Sequence, residues 1–330
     1  MADLSTTYMG MELKNPIIVG SSELTNKARK VKQLEEAGAG AVVLKSLFEE
    51  QIMMEVDAQR VNNMYGSFDD VENYVAFYTR KHDLDEYLEL IGQSKAETDI
   101  PIIASINCIS ASEWVDFAQK IQKAGADALE LNMFIMPNDP KFDGPQIEKV
   151  YFDVVDQIQN HLEIPVALKM GTYFSGLART FIDLSQTPIS AMVLFNRFYS
   201  PDINLDKEEI KVSNVFSHPD DFSNTLRWIG ILADQVDCDL SASTGAHDGY
   251  TILKNLMVGA KATHVVSTLY QNSRSHIQTM LEQMQGWMDR KGYKTIDDFR
   301  GKLSQANIQQ PMMYERAQFM KYFSNYRASS

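Results

Sequence analysis

Eight short apolar runs, each followed by a segment of helical periodicity, constrain this chain more than any other feature. They fall at 16–19, 41–45, 102–106, 128–132, 166–169, 191–196, 239–243 and 264–267. Near-continuous apolar runs suit strands of a parallel sheet, which is covered on both faces. The segments between them read as helices. In 112–123, Trp114, Phe117, Ala118 and Ile121 fall on one face, with Ser112 placed to cap the start. Ile277, Met280, Leu281, Met284, Trp287 and Met288 repeat the pattern near the end, and such a stripe reads as core packing. Gly38, Gly125 and Gly259 mark helix exits, where glycine tolerates a left-handed backbone. Pro16, Pro101 and Pro165 stand where strands open.

Eight β-α units in series predict an α/β fold, a closed (β/α)8 TIM barrel. A doubly wound open sheet would more often show a dinucleotide turn after its first strand. Here that turn reads Gly20-Ser21-Ser22-Glu23, which is not GxGxxG. Two segments exceed the bare barrel. Residues 50–95 read as an insertion after strand 2 that covers the active face. The tail carries Tyr314, Phe319, Met320, Tyr322, Phe323 and Tyr326, and reads as a helical C-terminal extension packed on the barrel or on a partner subunit. The expected division is therefore a barrel over 1–303 and an extension over 304–330.

Charge narrows the function. With 31 basic and 44 acidic residues the net charge is -13, which argues against nucleic acid or an anionic membrane as the main partner. The two cysteines, Cys108 and Cys238, form no disulfide framework and no metal motif. The six histidines lack metal spacing. His247 follows the turn after strand 7 and reads equally as a phosphate contact or as an exposed loop residue. No signal peptide and no membrane span are expected. A cytoplasmic protein is the expectation.

In such a barrel, functional side chains lie at the C-terminal strand ends. Those ends carry Ser21 and Ser22, Lys45 and Ser46, Asn107 and Cys108, Asn132, Lys169, Asn196 and Arg197, Ser243-Thr244-Gly245, and Ser267-Thr268. Lysine and asparagine are depleted in strands, so this set is informative where one member alone is not. Small residues and hydroxyls after strands 7 and 8 suit a phosphate group.

These residues carry a resemblance. The stretch Ile103-Ala104-Ser105-Ile106-Asn107-Cys108, then Trp114, then 124–132 ending in Glu130-Leu131-Asn132, resembles the dihydroorotate dehydrogenase family and the related pyrimidine-binding barrel of dihydropyrimidine dehydrogenase. Asn15-Pro16-Ile17-Ile18, Leu44-Lys45-Ser46, Leu168-Lys169, Lys291-Gly292-Tyr293 and 299–303 are similar too, so the likeness runs over residues 7–303. It implies an FMN across the barrel mouth. Gly20, Ser21 and Ser22 would line its ring, with Ser46 beside them. Lys45 would touch flavin and substrate, and Asn132 and Asn196 would bond the flavin or a planar substrate. Lys169 would face the pyrimidine end of the flavin. Ser243, Gly245, Ala246, Ser267 and Thr268 would hold the phosphate. Lys45, Asn132 and Lys169 are the residues the resemblance makes catalytic. Relatives of this type make a homodimer plausible.

The pattern breaks on the substrate side. Where the family has Asn-Leu-Ser-Cys-Pro-Asn, with a cysteine or serine as base, this chain reads Asn132-Met133-Phe134-Ile135-Met136-Pro137-Asn138. Neither Ile135 nor Met136 accepts a proton, and a general base must be titratable. The substrate loop at 62–74 and the glycine-rich segment replaced by 220–227 also depart from the family. The leading expectation is an FMN-dependent oxidoreductase acting on a small planar, pyrimidine-like substrate without the usual base, any proton coming from solvent, Thr172, Tyr173 or Cys108. The alternatives are a genuine dihydroorotate dehydrogenase, a catalytically silent flavin-binding paralogue, and a Schiff-base aldolase using Lys45 or Lys169.

Overall fold

A computed structural model of the 330-residue chain describes residues 2–48, 84–107, 114–158, 161–197 and 200–316. Eight parallel strands form its centre: β1 Ile17–Val19, β2 Ala41–Val43, β3 Ile102–Asn107, β4 Ala128–Met133, β5 Val166–Met170, β6 Ala191–Leu194, β7 Asp239–Ala242 and β8 Ala262–Val265. Each pairs with its neighbour in sequence, and β8 pairs with β1 through Thr263 opposite Ile17 and His264 opposite Ile18. The sheet is thus a closed barrel, as the eight runs predict. Helices alternate with the strands, among them Ala28–Glu36, Trp114–Lys123, Gly144–Ile158, Leu177–Ser185, Phe222–Leu232, Gly249–Met257 and His276–Lys291.

Strand periodicity sorts the core into two shells, because successive side chains point to opposite faces. Ile17, Val19, Val42, Leu44, Leu129, Leu131 and Leu168 pack outward against the helices. Ile18, Ala41, Val43, Ile103, Ala128, Ala167, Val193 and Ala262 fill the interior. A two-stranded hairpin, Thr6–Tyr8 with Met11–Leu13, adds buried Tyr8, Met9 and Leu13 to this inner shell. The Met stripe of the last long helix is buried at Ile277, Met280, Met284 and Met288. Gly38, Gly125 and Gly259 all have positive φ, as helix exits require.

Four details differ from the sequence reading. The last strand is Ala262–Val265, two residues earlier than its apolar run, and Ser267 opens the short helix Ser267–Asn272. Val266 and Ser267 are small and apolar or hydroxylic, so composition alone extends the strand past its last ladder bond. The sixth strand likewise stops at Leu194, before Asn196. The prolines precede their strands by one residue rather than occupying the first position. A further hairpin, Pro201–Asn204 with Glu209–Val212, follows β6 and was not foreseen. Ser112 and Cys108, and most of the 50–95 insertion, lie outside the described residues. Its last part is helical over 84–97.

The described part of the tail packs on the barrel, as expected. Tyr314, in the turn Met312–Glu315, donates its hydroxyl to the Leu303 carbonyl and stands over Gly230 of the helix Phe222–Leu232. A Cβ at Gly230 would fall 2.4 Å from the Tyr314 ring. Gly230→Ala is expected to displace the ring at a cost of about 1–3 kcal/mol. Urea unfolding of this variant beside Tyr314→Ala checks it: a Gly230→Ala cost that persists when Tyr314 is already absent would contradict the contact.

Candidate functional site

The alternation that builds the inner shell also builds the site. Along β4, Ala128, Glu130 and Asn132 share the inner face. On β5 they meet Ala167 and Lys169, with Asn132 paired in register with Lys169. Ser241 on β7 pairs in register with Ala262 on β8, and His264 stands two residues further along β8. The interior is therefore apolar at the strand starts and polar toward the C-terminal ends.

A cavity of about 470 Å³ opens at that end. Of the residues expected from sequence, Lys169, Asn196, Ser243, Gly245, Ala246 and Ser267 line it. Gly20 borders it closely, since a Cβ there would fall 2.9 Å from Val266 and 3.8 Å from His264. Asn132 is tied to it through Asn196, whose Nδ2 donates to Asn132 Oδ1. Arg197 and Thr244, present in the polar ring but given no role, also line the cavity, as do Asn214 and Ser217, which sequence reasoning missed.

The other expected residues form a second cluster. Ser21 Oγ accepts from the Ser46 amide at 2.8 Å and pairs with Ser46 Oγ at 3.0 Å. Ser46 Oγ meets Ser105 Oγ at 2.7 Å. Ser22 caps the turn Glu23–Thr25. Lys45 is paired with Glu23 of that turn, so its ammonium has a protein partner beside the mouth. Thr268 is buried and donates to the His247 carbonyl at 3.1 Å.

After β7 the chain takes two left-handed residues, Thr244 at φ 80° and Gly245 at φ 78°. At Gly245 a Cβ would fall 2.3 Å from the Phe222 amide nitrogen, at the start of the helix Phe222–Leu232. The segment 220–227 thus lays a helix N-terminus on a bare glycine. Ser267 Oγ accepts from the Ser217 amide at 2.9 Å, and Ser217 Oγ lies 3.0 Å from His247 Nε2. His247 is half-buried rather than an exposed loop residue, and desolvation lowers its pKa.

Sequence reasoning gave no role to Glu130 and His264. Lys169 Nζ lies 3.7 Å from Glu130 Oε1, and His264 Nδ1 lies 3.7 Å from Glu130 Oε2. Burial pushes the Glu130 carboxyl up and the His264 imidazole well down, the latter helped by the Lys169 charge. A signal existed: a carboxylate between Leu129 and Leu131 and a histidine between Thr263 and Val265 are costly inside strands unless they serve a site.

His264 carries a pH prediction. Its folded pKa lies below the ordinary 6.5, so the unfolded chain binds the extra proton first. Stability is whole above pH 6.5 and is lost as pH falls below it, by up to about 1.4 kcal/mol per pH unit. Glu130, raised from 4.5, acts with the opposite sign as it takes up a proton. His264→Leu should therefore flatten the acid limb. Urea midpoints of both proteins across this range check it, and parallel curves would contradict it.

The cavity suits a flat polar ring with a phosphate tail. Its size lies in the range of small-ligand sites, about 300–1,000 Å³. Gly20 packs against Val266 of the lining so closely that a side chain there would have to displace it, and Lys169 and the His264 imidazole, whose ring nitrogens make no hydrogen bond among the described residues, line the cavity. The left-handed turn and the hydroxyl of Ser267 lie after strands 7 and 8, where phosphate-binding barrels hold phosphate. The residues present fit FMN. Among the described residues no group of three or more His, Cys, Asp or Glu is placed to hold a metal ion, and no helix is long and apolar enough to cross a membrane.

Fold and site together define a parallel (β/α)8 barrel with a cation-floored ligand cavity at its C-terminal mouth. The family profile described as dihydroorotate dehydrogenase matches residues 3–287, and the chain belongs to that family. It is 24% identical over 316 residues to the dihydroorotate dehydrogenase B (NAD(+)) catalytic subunit of Thermoplasma volcanium, covering 91% of this chain and 98% of that one. It is 23% identical to dihydroorotate dehydrogenase A (fumarate) of Lactococcus lactis, over 91% and 99% of the two chains. To the dihydroorotate dehydrogenase (fumarate) of Lachancea kluyveri it is 23% identical, over 92% and 99%.

Proposed function

We propose that this protein is an FMN-dependent oxidoreductase acting on CH–CH bonds of a small planar, pyrimidine-like substrate, without the cysteine or serine base usual in its family. One observation carries the reading: the cavity above Lys169, lined by His264 and Val266 and closed by the Thr244-Gly245 turn, in a chain of this family. Bound FMN would supply a two-electron hydride acceptor. Lys169, Asn196, Gly20 and Ser21 would hold its ring. Ser243, Gly245, Ala246, Ser267 and, from below, Thr268 would hold its phosphate end, with Arg197 alongside. Lys169 is a fixed cation where negative charge develops, and in a part-buried site such a charge acts more strongly than in water. Asn132, bonded to Asn196, would orient a planar substrate, and Lys45 and Ser46 flank the mouth.

The loop after β4 supports the reading of a missing base. Phe134 and Met136 are exposed there, and Ile135 is half-buried against the core. Any proton then comes from solvent or from Thr172, Tyr173 or Cys108, the last outside the described residues. The names of the relatives favour genuine dihydroorotate oxidation as the second reading. A cytoplasmic homodimer with an extension over 304–330 belongs to the same proposal. Dithionite-reduced protein is expected to reoxidise faster with some member of a panel of pyrimidines, enones and quinones than with oxygen alone. No acceleration by any of them would favour the catalytically silent alternative.

A further inference from the structure

Lys169 does not stand alone beneath the cavity. Its ammonium and the His264 ring bracket the two oxygens of Glu130, each at 3.7 Å. Glu130 is 1% exposed, His264 4% and the Lys169 side chain 13%. Among the described residues, Glu130 Oε1 and both ring nitrogens of His264 make no hydrogen bond. Three ionisable side chains from β4, β5 and β8 meet inside one barrel, and the function proposed above uses only the lysine.

The other charges nearby have different partners or positions. Tyr8 of the N-terminal hairpin senses Glu130 and Asp239 together, and Tyr87, from the helix over 84–97, senses Glu130. Both are buried phenols whose pKa is raised, so they stay neutral. Arg197 shares the cavity but lies 3.6 Å from Asp221. On β4, Asn132 accepts from Asn196. His264 is kept neutral by burial. Glu130 is left as the carboxylate that faces the Lys169 ammonium.

We infer that Glu130 is a positioning residue: it holds the Lys169 ammonium at the cavity floor and sets the charge the cavity presents to its occupant. Only the identity of that occupant rests on the function proposed above. The hold on Lys169 does not. An ammonium next to a carboxylate reacts slowly with acylating agents because its amine is rarely free, whereas one without that partner reacts sooner.

The test is trace acetylation of the full-length, FMN-free protein with acetic anhydride, read at Lys169 by peptide mass spectrometry across a pH series. Glu130→Gln keeps shape and removes charge. Acetylation of Lys169 is expected to rise about tenfold near neutral pH, with the excess shrinking as pH rises. Lys45, held by Glu23, serves as the unchanged reference. Equal Lys169 rates in wild type and Glu130→Gln at every pH would overturn the inference. Should Glu130→Gln not fold, Glu130→Asp, which withdraws the carboxylate by one carbon, gives a smaller rise of the same pH dependence, and its absence overturns the inference equally. On FMN-loaded protein, Glu130→Gln should also bind sulfite at the flavin several-fold more tightly, since the cation is then unopposed. A protein that takes up no FMN defeats the proposed function, while the acetylation series still decides the role of Glu130.

Discussion

Lys169→Met is expected to slow substrate-dependent reduction of the bound flavin by about 10²–10³-fold, the usual cost of removing one preorganised charge from a reacting centre. The argument starts from position. Lys169 is on the inner face of β5, in register with Asn132, with its side chain 13% exposed and its ammonium lining the cavity. A charge fixed there needs no reorganisation when negative charge develops nearby. Methionine keeps the length and the apolar stem, so packing is largely spared. The Glu130 carboxyl, already raised by burial, then takes up a proton instead of remaining an unpaired buried charge. Stopped-flow absorbance, with whichever substrate the reoxidation panel identifies, measures the rate. A loss of less than about threefold would mean that Lys169 does not face the reacting ring.

Gly245→Ala is expected to abolish FMN retention and to destabilise the fold by about 2–4 kcal/mol. Two costs combine. Gly245 has φ 78°, where a side chain is strained, and its Cβ would stand 2.3 Å from the Phe222 amide nitrogen. Backbone is not displaced cheaply, so the turn and the helix Phe222–Leu232 must separate, and the phosphate end of the cavity opens with them. Gly10 isolates the first cost. It has φ 74° but nothing within 4 Å of a Cβ. Gly10→Ala should therefore cost only about 1–2 kcal/mol and leave flavin content intact. Urea unfolding and the ratio of visible to protein absorbance check both variants. Equal costs at the two glycines would contradict the close approach at Gly245.

The barrel was legible because its signal is repeated. Each strand is a short apolar run, and eight of them close a sheet whatever the error at one end. That error is visible at β8, where Val266 and Ser267 continue an apolar, small-residue pattern after the ladder has ended at Val265. Lys169, Asn196, Gly245 and Ser267 were legible as residues of the cavity because polar residues at strand ends in such a barrel have one common destination. Glu130 and His264 were not, although period two puts Glu130 on the same face as Asn132. Their meaning depends on Lys169 reaching across from β5 and His264 from β8, which no single strand reveals. The pairing of Lys45 with Glu23 was hidden for the same reason, since it joins the turn after β1 to the end of β2. The hairpin after β6 was missed because Ile203, Leu205 and Ile210 are exposed there, so its pattern marks no core face.

The central claim is a flavin site kept and a substrate side changed. Its most direct test is the visible spectrum of the purified protein, reconstituted with FMN where needed, before and after anaerobic addition of dihydroorotate. Flavin bands that are present and stay oxidised are the expected result, because Phe134, Ile135 and Met136 offer no proton acceptor where the family has one. Bands that bleach at ordinary flavoenzyme rates would contradict the missing base, and a protein that shows no flavin bands even with added FMN would contradict the site itself.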